Sequence, residues 1–485
     1  MKNPYTYSNT NKRYYALDYF YKQKFGKKVF KVSLNGGFTC PNKDGTKGYG
    51  GCIYCSKSGS GDFAGDLRKD LVTQFEEGKE ILHKKWKDAY YIGYFQANTN
   101  TYASVDLLKE KYETILKQDN VVGLSIATRP DAISDECLEY LDELNKRTYL
   151  NVELGLQTIH KETTKLINRG HDLACFETIV KKLRKKNIPV IVHIINGLPY
   201  ETKEMMIETA KYLNKIDIQG IKIHMLHIIK NTELEKMYSK EKFHILTKEE
   251  YIDITCCQIE NLKENIVIHR LTGDPVKEDL IEPEWVLKKV SVLDDIDKEL
   301  EKRRTYQGFN SSILNRVRER LDYYLKPNSL AIDATVGNGK DTAYIANIIK
   351  DGKVFGFDIQ QQAIKNTKEN TKQFDNVILY QESHSNMINV LPNYIGKISI
   401  ILFNLGYLPK GDKTITTQKE TTIKALEDSL KLIHDHGVIL VTVYKGHEEG
   451  LEENNALLEW LKDKNYQIYH NDENILSPYL VEIKK

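Results

Sequence analysis

Short apolar segments alternate with amphipathic segments along this 485-residue chain, and this alternation limits the fold more than any other feature. Within residues 88–230 the predicted strands are DAYYIGYFQ, VVGLSIAT, YLNVELGL, IPVIVHIIN and IQGIKIHMLHI. Helix-like segments such as SVDLLKEKYETILKQ and SDECLEYLDELNKR lie between them, and Ser134 is placed to cap the second one. Strand–helix alternation predicts an α/β fold with a parallel sheet or barrel, whose ligands bind at the carboxyl ends of the strands.

A second alternation follows a charge-rich helix predicted over residues 293–310. Its predicted strands are SLAIDATVGNG, KVFGFDI, NVILYQES, ISIILFNLGY and GVILVTVY. A chain of this length is long for a single core. We therefore predict two domains, residues 1–308 and residues 309–485.

The overall charge of the chain identifies no partner, because 70 Lys and Arg residues face 68 Asp and Glu residues. No apolar run reaches the roughly 18 residues of a membrane span, so we expect no membrane association. The first residues lack the apolar core of a signal peptide. Seven cysteines without an export signal favour a reducing cytoplasm over a disulfide framework.

Residues 1–31 combine eight Lys and Arg residues with six tyrosines and one acid, Asp18. Basic groups neutralise phosphates and aromatic faces stack on unpaired bases, so this segment is a candidate RNA contact. A strand and a helix with a tyrosine-rich packing face explain the same composition. Both interpretations stay open from the residues alone.

Three cysteines stand close together in CPNKDGTKGYGGCIYC, residues 40–55. Cys52 and Cys55 form a C-x-x-C pair, and Cys40 precedes them across a loop rich in glycine and lysine. Three thiolates suit a [4Fe–4S] cluster that keeps one iron open for another ligand. A redox pair or a zinc ion is the alternative, although structural zinc takes four protein ligands and no fourth Cys or His lies close in sequence.

This stretch resembles the cluster loop of radical S-adenosylmethionine (SAM) enzymes, in the longer-spaced form of the Elongator catalytic subunit and its bacterial relatives. The resemblance covers roughly residues 10–308 and includes GYFQANTNTYA, SIATRPDAI, ELGLQT, INRGHD and IINGLPYET. It implies a partial (β/α)6 barrel in which Cys40, Cys52 and Cys55 bind a [4Fe–4S] cluster.

The same resemblance implies contacts with SAM. Tyr54 packs near the adenine, and Gln96 stands where many relatives carry a carboxylate for the SAM amino group. The other implied contacts are Glu153 and Gln157 with the ribose and amino acid end, Arg169 with the carboxylate as a two-pronged donor, and Asn196 and Gly197 with the adenosine. An ordinary polar strand end is the alternative for Glu153 and Gln157.

Other polar residues of this half receive weaker predictions. The segment HRLTGDP resembles a family segment in which Arg270 and Asp274 line the substrate mouth. Three histidines lie in apolar strands, where we expect them to pack with satisfied hydrogen bonds: His193, His224 and His227.

A glycine-rich turn, AIDATVGNGKDT, follows an apolar run in the second half. Gly337 and Gly339 allow a tight turn and close approach of the backbone to a ligand. Asp358 ends the next strand, where an acid accepts both ribose hydroxyls of a nucleoside. NAD is a possible ligand, but Asp333 before the turn and Thr342 in place of a third glycine favour SAM.

The segment FNLGYLP looks like a variant of the (D/N)-P-P-(Y/F) motif of amino-group methyltransferases, with Leu405 and Gly406 in place of the prolines. In such a motif the Asn amide oxygen accepts hydrogens from the amine and aims its lone pair at the methyl group. The aromatic ring steadies the base or the sulfonium. Asn404 and Tyr407 are therefore our catalytic candidates, and a turn that only packs is the alternative.

Residues 311–485 resemble a small family of bacterial class I methyltransferases, with a Rossmann-like fold, that methylate 5-aminomethyl-2-thiouridine at the wobble position of tRNA. The matching segments are DATVGNGKDT, GFDIQ, ESHSN, NLGYLPKGDKTITT and VYKGHEEG. The implied SAM-binding residues are Asp333, Thr335, Gly337, Asn338, Gly339, Asp358, Gln360 and His384. The implied tRNA rim is Lys410, Asp412, Lys413 and Thr417, and His447 and Glu448 are candidate bases.

The two resemblances together suggest sequential reactions on uridine 34 in the anticodon stem-loop of tRNA. The first half, fed by an electron donor such as flavodoxin or ferredoxin, would convert a 5-carboxymethylaminomethyl group to aminomethyl, and the second half would methylate that amine. SAM would bind at two separate sites. The alternatives are a radical SAM enzyme for another RNA or small molecule, and a redox-sensing RNA-binding protein without catalysis.

Overall fold

The computed structural model describes residues 7–59, 61–83, 86, 88–311, 313–406, 417–445, 448–470 and 478–485. The chain forms two compact units, Met1–Gly308 and Phe309–Lys485. In the described parts of both units, no helix is long and apolar enough to cross a membrane.

The first unit is built on a curled sheet of parallel strands, in the order β1-β2-β3-β4-β5-β6-β8. The strands of this unit are β1 Val29–Leu34, β2 Tyr90–Phe95, β3 Val121–Thr128, β4 Tyr149–Gln157, β5 Val190–Asn196, β6 Gly220–Met225, β7 Ile228–Ile229, β8 Val267–Arg270 and β9 Leu280–Glu282. The short strands β7 and β9 pair with each other. Sequential parallel pairing confirms the α/β partial barrel, because each crossover returns the chain to the same edge of the sheet.

Helices pack against this sheet, and several of them begin at side-chain caps. They are α1 Leu17–Phe25, α2 Leu71–His83, α3 Val105–Leu116, α4 Asp135–Arg147, α5 Lys161–Leu166, α6 Leu173–Lys185, α7 Lys203–Leu213, α8 Glu233–Lys240, α9 Lys248–Asn261 and α10 Lys289–Arg303. The Ser134 hydroxyl accepts a hydrogen bond from the Cys137 N–H, which confirms the predicted cap. The charge-rich helix ends earlier than predicted, because Arg304 adopts a left-handed conformation with φ of 58°.

The tyrosine-rich segment packs against the barrel over part of its length. Tyr14 and Tyr21 are buried, and the Tyr21 ring contacts Tyr149 edge to face. Ala16 forms a parallel bridge with Ile268 of β8. The packing interpretation therefore holds for these two tyrosines, and contact with RNA stays a prediction for the rest of the segment.

The second unit contains a mixed sheet in the order β12-β11-β10-β13-β14-β16-β15. Its strands are β10 Leu330–Asp333, β11 Lys353–Phe357, β12 Val377–Tyr380, β13 Ile398–Asn404, β14 Ile433–Val443, β15 Asn465–His470 and β16 Tyr479–Lys484. Strands β10 to β14 are parallel, and β16 is antiparallel to both of its neighbours. The order reverses at β10, which places a ligand crevice at the carboxyl ends of β10 and β13, as in the predicted Rossmann-like fold.

The helices of the second unit are α11 Ile313–Tyr324, α12 Lys340–Ile348, α13 Gln361–Asn370, α14 Met387–Val390, α15 Lys419–Leu432 and α16 Glu448–Trp460. Apolar side chains fill two layers, one on each face of the sheet. Ile401 and Phe403 of β13 point to one layer, and Ile400 and Leu402 point to the other. This continuous apolar run is typical of a parallel strand covered on both faces.

Candidate active sites

A cavity of about 850 Å³ opens at the carboxyl ends of the strands in the first unit. Its lining includes all three cysteines of the N-terminal trio, Cys40, Cys52 and Cys55. Residues from β1 to β6 and β8 complete the wall. The fold therefore brings the cysteine loop to the edge where a parallel barrel places its chemistry.

The cysteine loop is held by backbone and amide hydrogen bonds. The Cys55 N–H donates to the Cys52 carbonyl at 3.0 Å, which closes a tight turn between the paired cysteines. The Asn168 side chain donates to the Gly51 carbonyl at 2.7 Å and ties the loop to the segment after α5. All three thiols are free. A hydrogen bond from Cys55 lowers the pKa of the Cys52 thiol to about 6 despite burial, so a thiolate forms readily there.

The donor set of this loop fits an iron–sulfur cluster. Across the described ranges, no three Cys, His, Asp or Glu side chains gather at one point that could hold a single metal ion. In a cubane cluster each thiolate binds a different iron, so the three sulfurs need not converge on one point. Three free thiols around one cavity, one of them readily ionised, suit that arrangement.

Several predicted SAM contacts line this cavity: Tyr54, Gln96, Glu153, Gln157 and Arg169. Gln157 ends β4 with a φ of +64°, a left-handed conformation that is rare for a residue with a side chain. Strained residues of this kind concentrate at binding sites. The geometry thus places these residues beside the cysteine loop, and their contacts with SAM stay predictions.

Arg169 is arranged differently from the prediction of a two-pronged carboxylate donor. Its guanidinium donates to the carbonyls of Leu156, Thr158 and His171, the last two at 2.8 Å and 2.9–3.0 Å. These bonds use four of the five N–H groups, so a two-pronged pairing with a carboxylate would require some of them to break, and the SAM contact of Arg169 stays a prediction. Arg169 instead fixes the end of β4.

Asn196 and Gly197 lie outside the lining of the cavity. The Asn196 side chain forms a reciprocal amide pair with Gln258, with distances of 2.9 and 2.8 Å. Gly197 has a φ of +85°, which favours glycine. Asn196 therefore anchors α9 to β5, and an adenosine contact at this turn would come from the backbone.

Glu153 lies at the centre of a buried charged cluster that the sequence did not predict. Its carboxylate accepts hydrogen bonds from Lys31 at 2.6 Å, Ser125 at 2.7 Å, Lys222 at 2.5 Å and His193 at 2.7 Å. Burial would raise the pKa of Glu153, but the charges of Lys222 and Lys31 hold it well below the usual value. Alternation of side chains along each strand was the available signal, since all these groups sit on strands and point inward.

Two of the three histidines predicted to lie in strands have a buried ring nitrogen without a partner in the described ranges, contrary to expectation. His193 contacts Glu153, but the Nε2 atoms of His224 and His227 are buried without a hydrogen-bond partner among the described residues. Burial lowers the pKa of His227 to about 4 and holds that of His224 well below its usual value. Both rings line the cavity as neutral groups, so they present unused polar atoms to a ligand.

Arg270 and Asp274 also line this cavity, as predicted for the mouth. The two side chains form an ion pair, and Lys289 contacts the same carboxylate at 2.7 Å. Asp274 therefore forms ion pairs with both Arg270 and Lys289.

The glycine-rich turn of the second unit joins β10 to α12. Gly337 and Gly339 have φ values of 51° and 74°. A Cβ atom on Gly339 would lie 2.7 Å from the Thr367 Cα atom, so only glycine fits. Asp333 accepts hydrogen bonds from the Thr342 hydroxyl at 2.6 Å and the Thr335 N–H at 3.3 Å, which brace the turn from below. Burial raises the pKa of Asp333 to about 7.

The remaining predicted SAM residues surround this turn. Asp358 accepts hydrogen bonds from the N–H groups of Gly337 at 3.1 Å and Gln360 at 2.9 Å. Asn338 contacts Asn366 of α13 at 2.8 Å. His384 is buried with no partner for Nε2 in the described structure, and burial lowers its pKa to about 4. A neutral imidazole beside Phe403 is compatible with the predicted adenine contact.

Asn404 ends β13 at the same crevice, and its amide has a defined orientation. Nδ2 donates to the Asp341 carboxylate at 3.0 Å, and the backbone N–H donates to the Thr335 hydroxyl at 2.8 Å. Oδ1 is buried and has no partner among the described residues. The sequence analysis did not identify Asp341. Its hydrogen bond with Nδ2 fixes the orientation of the amide, so that Oδ1 is the atom left for the predicted role of accepting hydrogens from an amine.

Other predictions for this crevice are tested only in part by the geometry. The Thr417 hydroxyl accepts from the Gly406 N–H at 2.9 Å and donates to Glu453 at 2.8 Å. It therefore links the residue shortly after β13 to helix α16. Glu448 begins α16. Tyr407, Lys410, Asp412, Lys413 and His447 lie outside the described residues.

Family comparisons agree with this division of chemistry. The model for the radical SAM superfamily matches residues 42–213, and the model for the radical SAM C-terminal domain matches residues 218–302. The model described as "Putative rRNA methylase" matches residues 354–474. The matched domains are those of enzymes, and radical SAM domains imply a [4Fe–4S] cluster and SAM.

Relatives match each half separately. Protein YtqA of Bacillus subtilis is 54% identical over 306 residues, which cover 63% of this chain and 95% of that protein. The chloroplastic tRNA (mnm5s2U34)-methyltransferase of Arabidopsis thaliana is 36% identical over 141 residues, 27% of this chain and 51% of that protein. The tRNA uridine(34) acetyltransferase of Methanocaldococcus infernus is 30% identical over 136 residues, 27% of this chain and 25% of that protein.

Proposed function

We propose that this chain modifies the wobble uridine of tRNA in two successive steps. It belongs to the radical SAM family of YtqA and carries a methyltransferase domain C-terminal to the radical SAM domain. The first unit converts 5-carboxymethylaminomethyl-(2-thio)uridine to 5-aminomethyl-(2-thio)uridine. The second unit methylates this amine to 5-methylaminomethyl-(2-thio)uridine. Two relatives are named for activities on uridine 34 of tRNA, which supports U34 as the target. One of them is named as a methyltransferase that acts at this uridine.

The first conversion removes a two-carbon group from a secondary amine. The CH2 between nitrogen and carboxylate gives up a hydrogen atom and then an electron, and loss of a proton leaves an imine. Water adds to the imine carbon and releases the primary amine and glyoxylate. When bound, the reduced cluster and SAM supply the 5′-deoxyadenosyl radical, and SAM accepts the two electrons overall as it is cleaved to methionine and 5′-deoxyadenosine.

The residues of the first unit bind and orient these groups. Cys40, Cys52 and Cys55 hold the cluster, and Tyr54 and Gln157 position SAM within the cavity. An electron donor such as flavodoxin or ferredoxin supplies the reducing electron.

The second conversion transfers a methyl group from SAM to nitrogen and releases S-adenosylhomocysteine and one proton. Attack needs the neutral amine, whose lone pair must point along the line of the breaking bond. The buried Oδ1 of Asn404 has no partner among the described residues, and in this proposal it accepts an amine hydrogen and so fixes that direction. The glycine turn and Asp358 bind the SAM nucleoside.

The observation that carries the proposal is the presence of both sites in one chain. A cavity with three free thiols lies in one unit, and an Asn amide whose oxygen has no partner in the described part of the chain lies at the ligand crevice of the other. An amine made by the first unit is a substrate for the second, which gives the fusion a chemical reason.

Two variants test the assignment with defined tRNA and nucleoside mass spectrometry. Cys52→Ala should abolish the first conversion and leave methylation of a supplied aminomethyl tRNA intact. Asn404→Ala should let aminomethyluridine accumulate, with affinity for S-adenosylhomocysteine in the second unit within a few-fold of the wild type. Loss of both activities in a folded single variant would contradict the division of labour.

A further inference from the structure

The charged cluster around Glu153 contains two lysines and only one acid. Lys31 of β1 and Lys222 of β6 both contact this one carboxylate, at 2.6 and 2.5 Å. Their side chains are only 14% and 7% exposed. His193 adds no charge, because burial lowers its pKa. Two buried lysines therefore share one acid.

The same imbalance extends over the whole cavity. Seven Lys and Arg residues line it, namely Lys31, Lys43, Arg129, Arg169, Lys222, Arg270 and Lys289, against three acids, Asp62, Glu153 and Asp274, and the three thiols of the N-terminal trio. The basic side chains therefore still outnumber the acids and thiols together. A buried charge without a counter-charge is costly, so an excess of cations in a cavity favours an anionic ligand. SAM does not supply it, since its sulfonium and ammonium groups outnumber its one carboxylate.

Lys222 is the more deeply buried of the two lysines in the charged cluster. Burial lowers the pKa of its ammonium group to about 7, although Glu153 opposes the shift. Its Nζ atom also lies 3.0 Å from the Tyr94 hydroxyl, which is a neutral partner. A second carboxylate beside Lys222 would restore the charged form.

An unused polar atom stands next to this position. His224 follows Lys222 by two residues on β6, so both side chains point to the same face of the strand. The His224 ring centroid lies 5.1 Å from that of His193, and its buried Nε2 has no partner in the described structure. The lysine and the imidazole thus provide a charge and a hydrogen-bonding atom on one wall.

We propose that Lys222 and His224, supported by Lys31, bind the carboxylate of the carboxymethylaminomethyl group of the substrate. This inference rests on the proposed function, whose first substrate carries this carboxylate and whose product does not. A terminal carboxylate on a flexible side chain can enter the cavity alone and reach the charged cluster around Glu153. A backbone phosphate would have to bring both flanking nucleosides into the cavity. The product ends in an ammonium group, which the surplus cations repel, so the same cluster favours its release.

The test measures binding of anticodon stem-loops to the full chain. The chain is loaded with the [4Fe–4S] cluster and SAM under anaerobic conditions, without reductant. Three stem-loops differ only at the wobble base: carboxymethylaminomethyl, its methyl ester, and aminomethyl. All three carry the same phosphates, so a difference in affinity reports the carboxylate. We expect the wild type to bind the carboxylate form at least tenfold more tightly than the ester or the amine.

Lys222→Met should reduce this preference to twofold or less without weakening the binding of the aminomethyl stem-loop. Lys31→Met serves as the second variant should Lys222→Met fail to fold, because each leaves one lysine paired with Glu153. Lys182→Met is the matched control, since it removes a lysine from α6 that does not line the cavity and should keep the full preference.

A wild type without preference for the carboxylate form overturns the inference, and so does a Lys222→Met variant that retains the preference. Conversion of the carboxylate form by the reduced wild type is measured in parallel. A preference without conversion would refute the proposed reaction and still support the carboxylate site. Conversion without preference would refute the site and leave the reaction standing.

Discussion

Replacing Glu153 with Gln should destabilise the first unit by an amount that depends on pH. The substitution keeps the shape of the side chain and removes the counter-charge of Lys31 and Lys222, which contact it at 2.6 and 2.5 Å. Breaking a buried ion pair by removing one partner costs about 3–5 kcal/mol. The chain can limit this cost, because a lysine without a counter-charge can lose its proton.

The proton loss sets an upper bound on the cost. Because the pKa of Lys222 is lowered to about 7, this lysine is already mostly neutral at pH 8, so the bound is the cost of neutralising one further lysine. Neutralising a lysine of ordinary pKa of about 10.4 costs about 3.3 kcal/mol at pH 8 and about 1.2 kcal/mol at pH 9.5. A lysine with a lowered folded-state pKa destabilises the fold at low pH, and this penalty fades as the pH rises toward the unfolded-state pKa.

We therefore expect Glu153→Gln to lower the free energy of unfolding of the first unit by about 3 kcal/mol at pH 8 and by about 1 kcal/mol at pH 9.5. At about 2 °C per kcal/mol, the melting temperature at pH 8 should fall by about 6 °C. Differential scanning calorimetry of the full chain resolves this when the two units melt separately. Leu440→Ala, in the core of the second unit, assigns the other transition.

Two results would refute this reasoning. A loss below about 1 kcal/mol at pH 8 would mean that the lysines do not depend on Glu153 for compensation. A loss that stays equal at pH 8 and pH 9.5 would mean that it arises from packing or hydrogen bonding and not from charge.

Three further variants test other parts of the account. Asp341→Asn should lower the rate of methylation about 10- to 100-fold, since it lets the Asn404 amide turn over; binding of S-adenosylhomocysteine, measured by calorimetry, should stay unchanged. Gly339→Ala should weaken that same binding strongly, because the new Cβ would meet the Thr367 backbone at 2.7 Å; normal affinity would contradict the close approach. Arg169→Ala should destabilise the first unit by about 2–3 kcal/mol in urea unfolding, because three carbonyls lose their donor; a folded variant of unchanged stability would show that the guanidinium is available to a ligand.

Much of the fold was predictable because parallel strands leave a plain signal. VVGLSIAT became β3 at the predicted residues, and Ser134 caps α4 as expected. The first strand, β1, was missed, since VFKVSL is short and carries Lys31 in its middle. That lysine points into the barrel toward Glu153, so the pairing that explains it joins residues far apart in sequence.

The candidate sites were predictable where a motif fixes them and not where long-range contacts do. The cysteine spacing and the glycine turn pointed to their residues directly. The carbonyl contacts of Arg169 and the link between Asp341 and Asn404 depend on how separate loops meet, which no local pattern records. The same holds for the Nε2 atoms of His224 and His227, because their burial without a partner among the described residues is visible only in the folded chain.

Deuterium transfer directly tests whether the first unit abstracts hydrogen from the CH2 of the carboxymethyl group. The full chain is reduced with SAM and a tRNA whose wobble carboxymethyl group carries deuterium on its CH2, and the 5′-deoxyadenosine is analysed by mass spectrometry. We expect one deuterium in each 5′-deoxyadenosine released per aminomethyluridine formed. Unlabelled 5′-deoxyadenosine alongside that product would contradict hydrogen abstraction from this carbon.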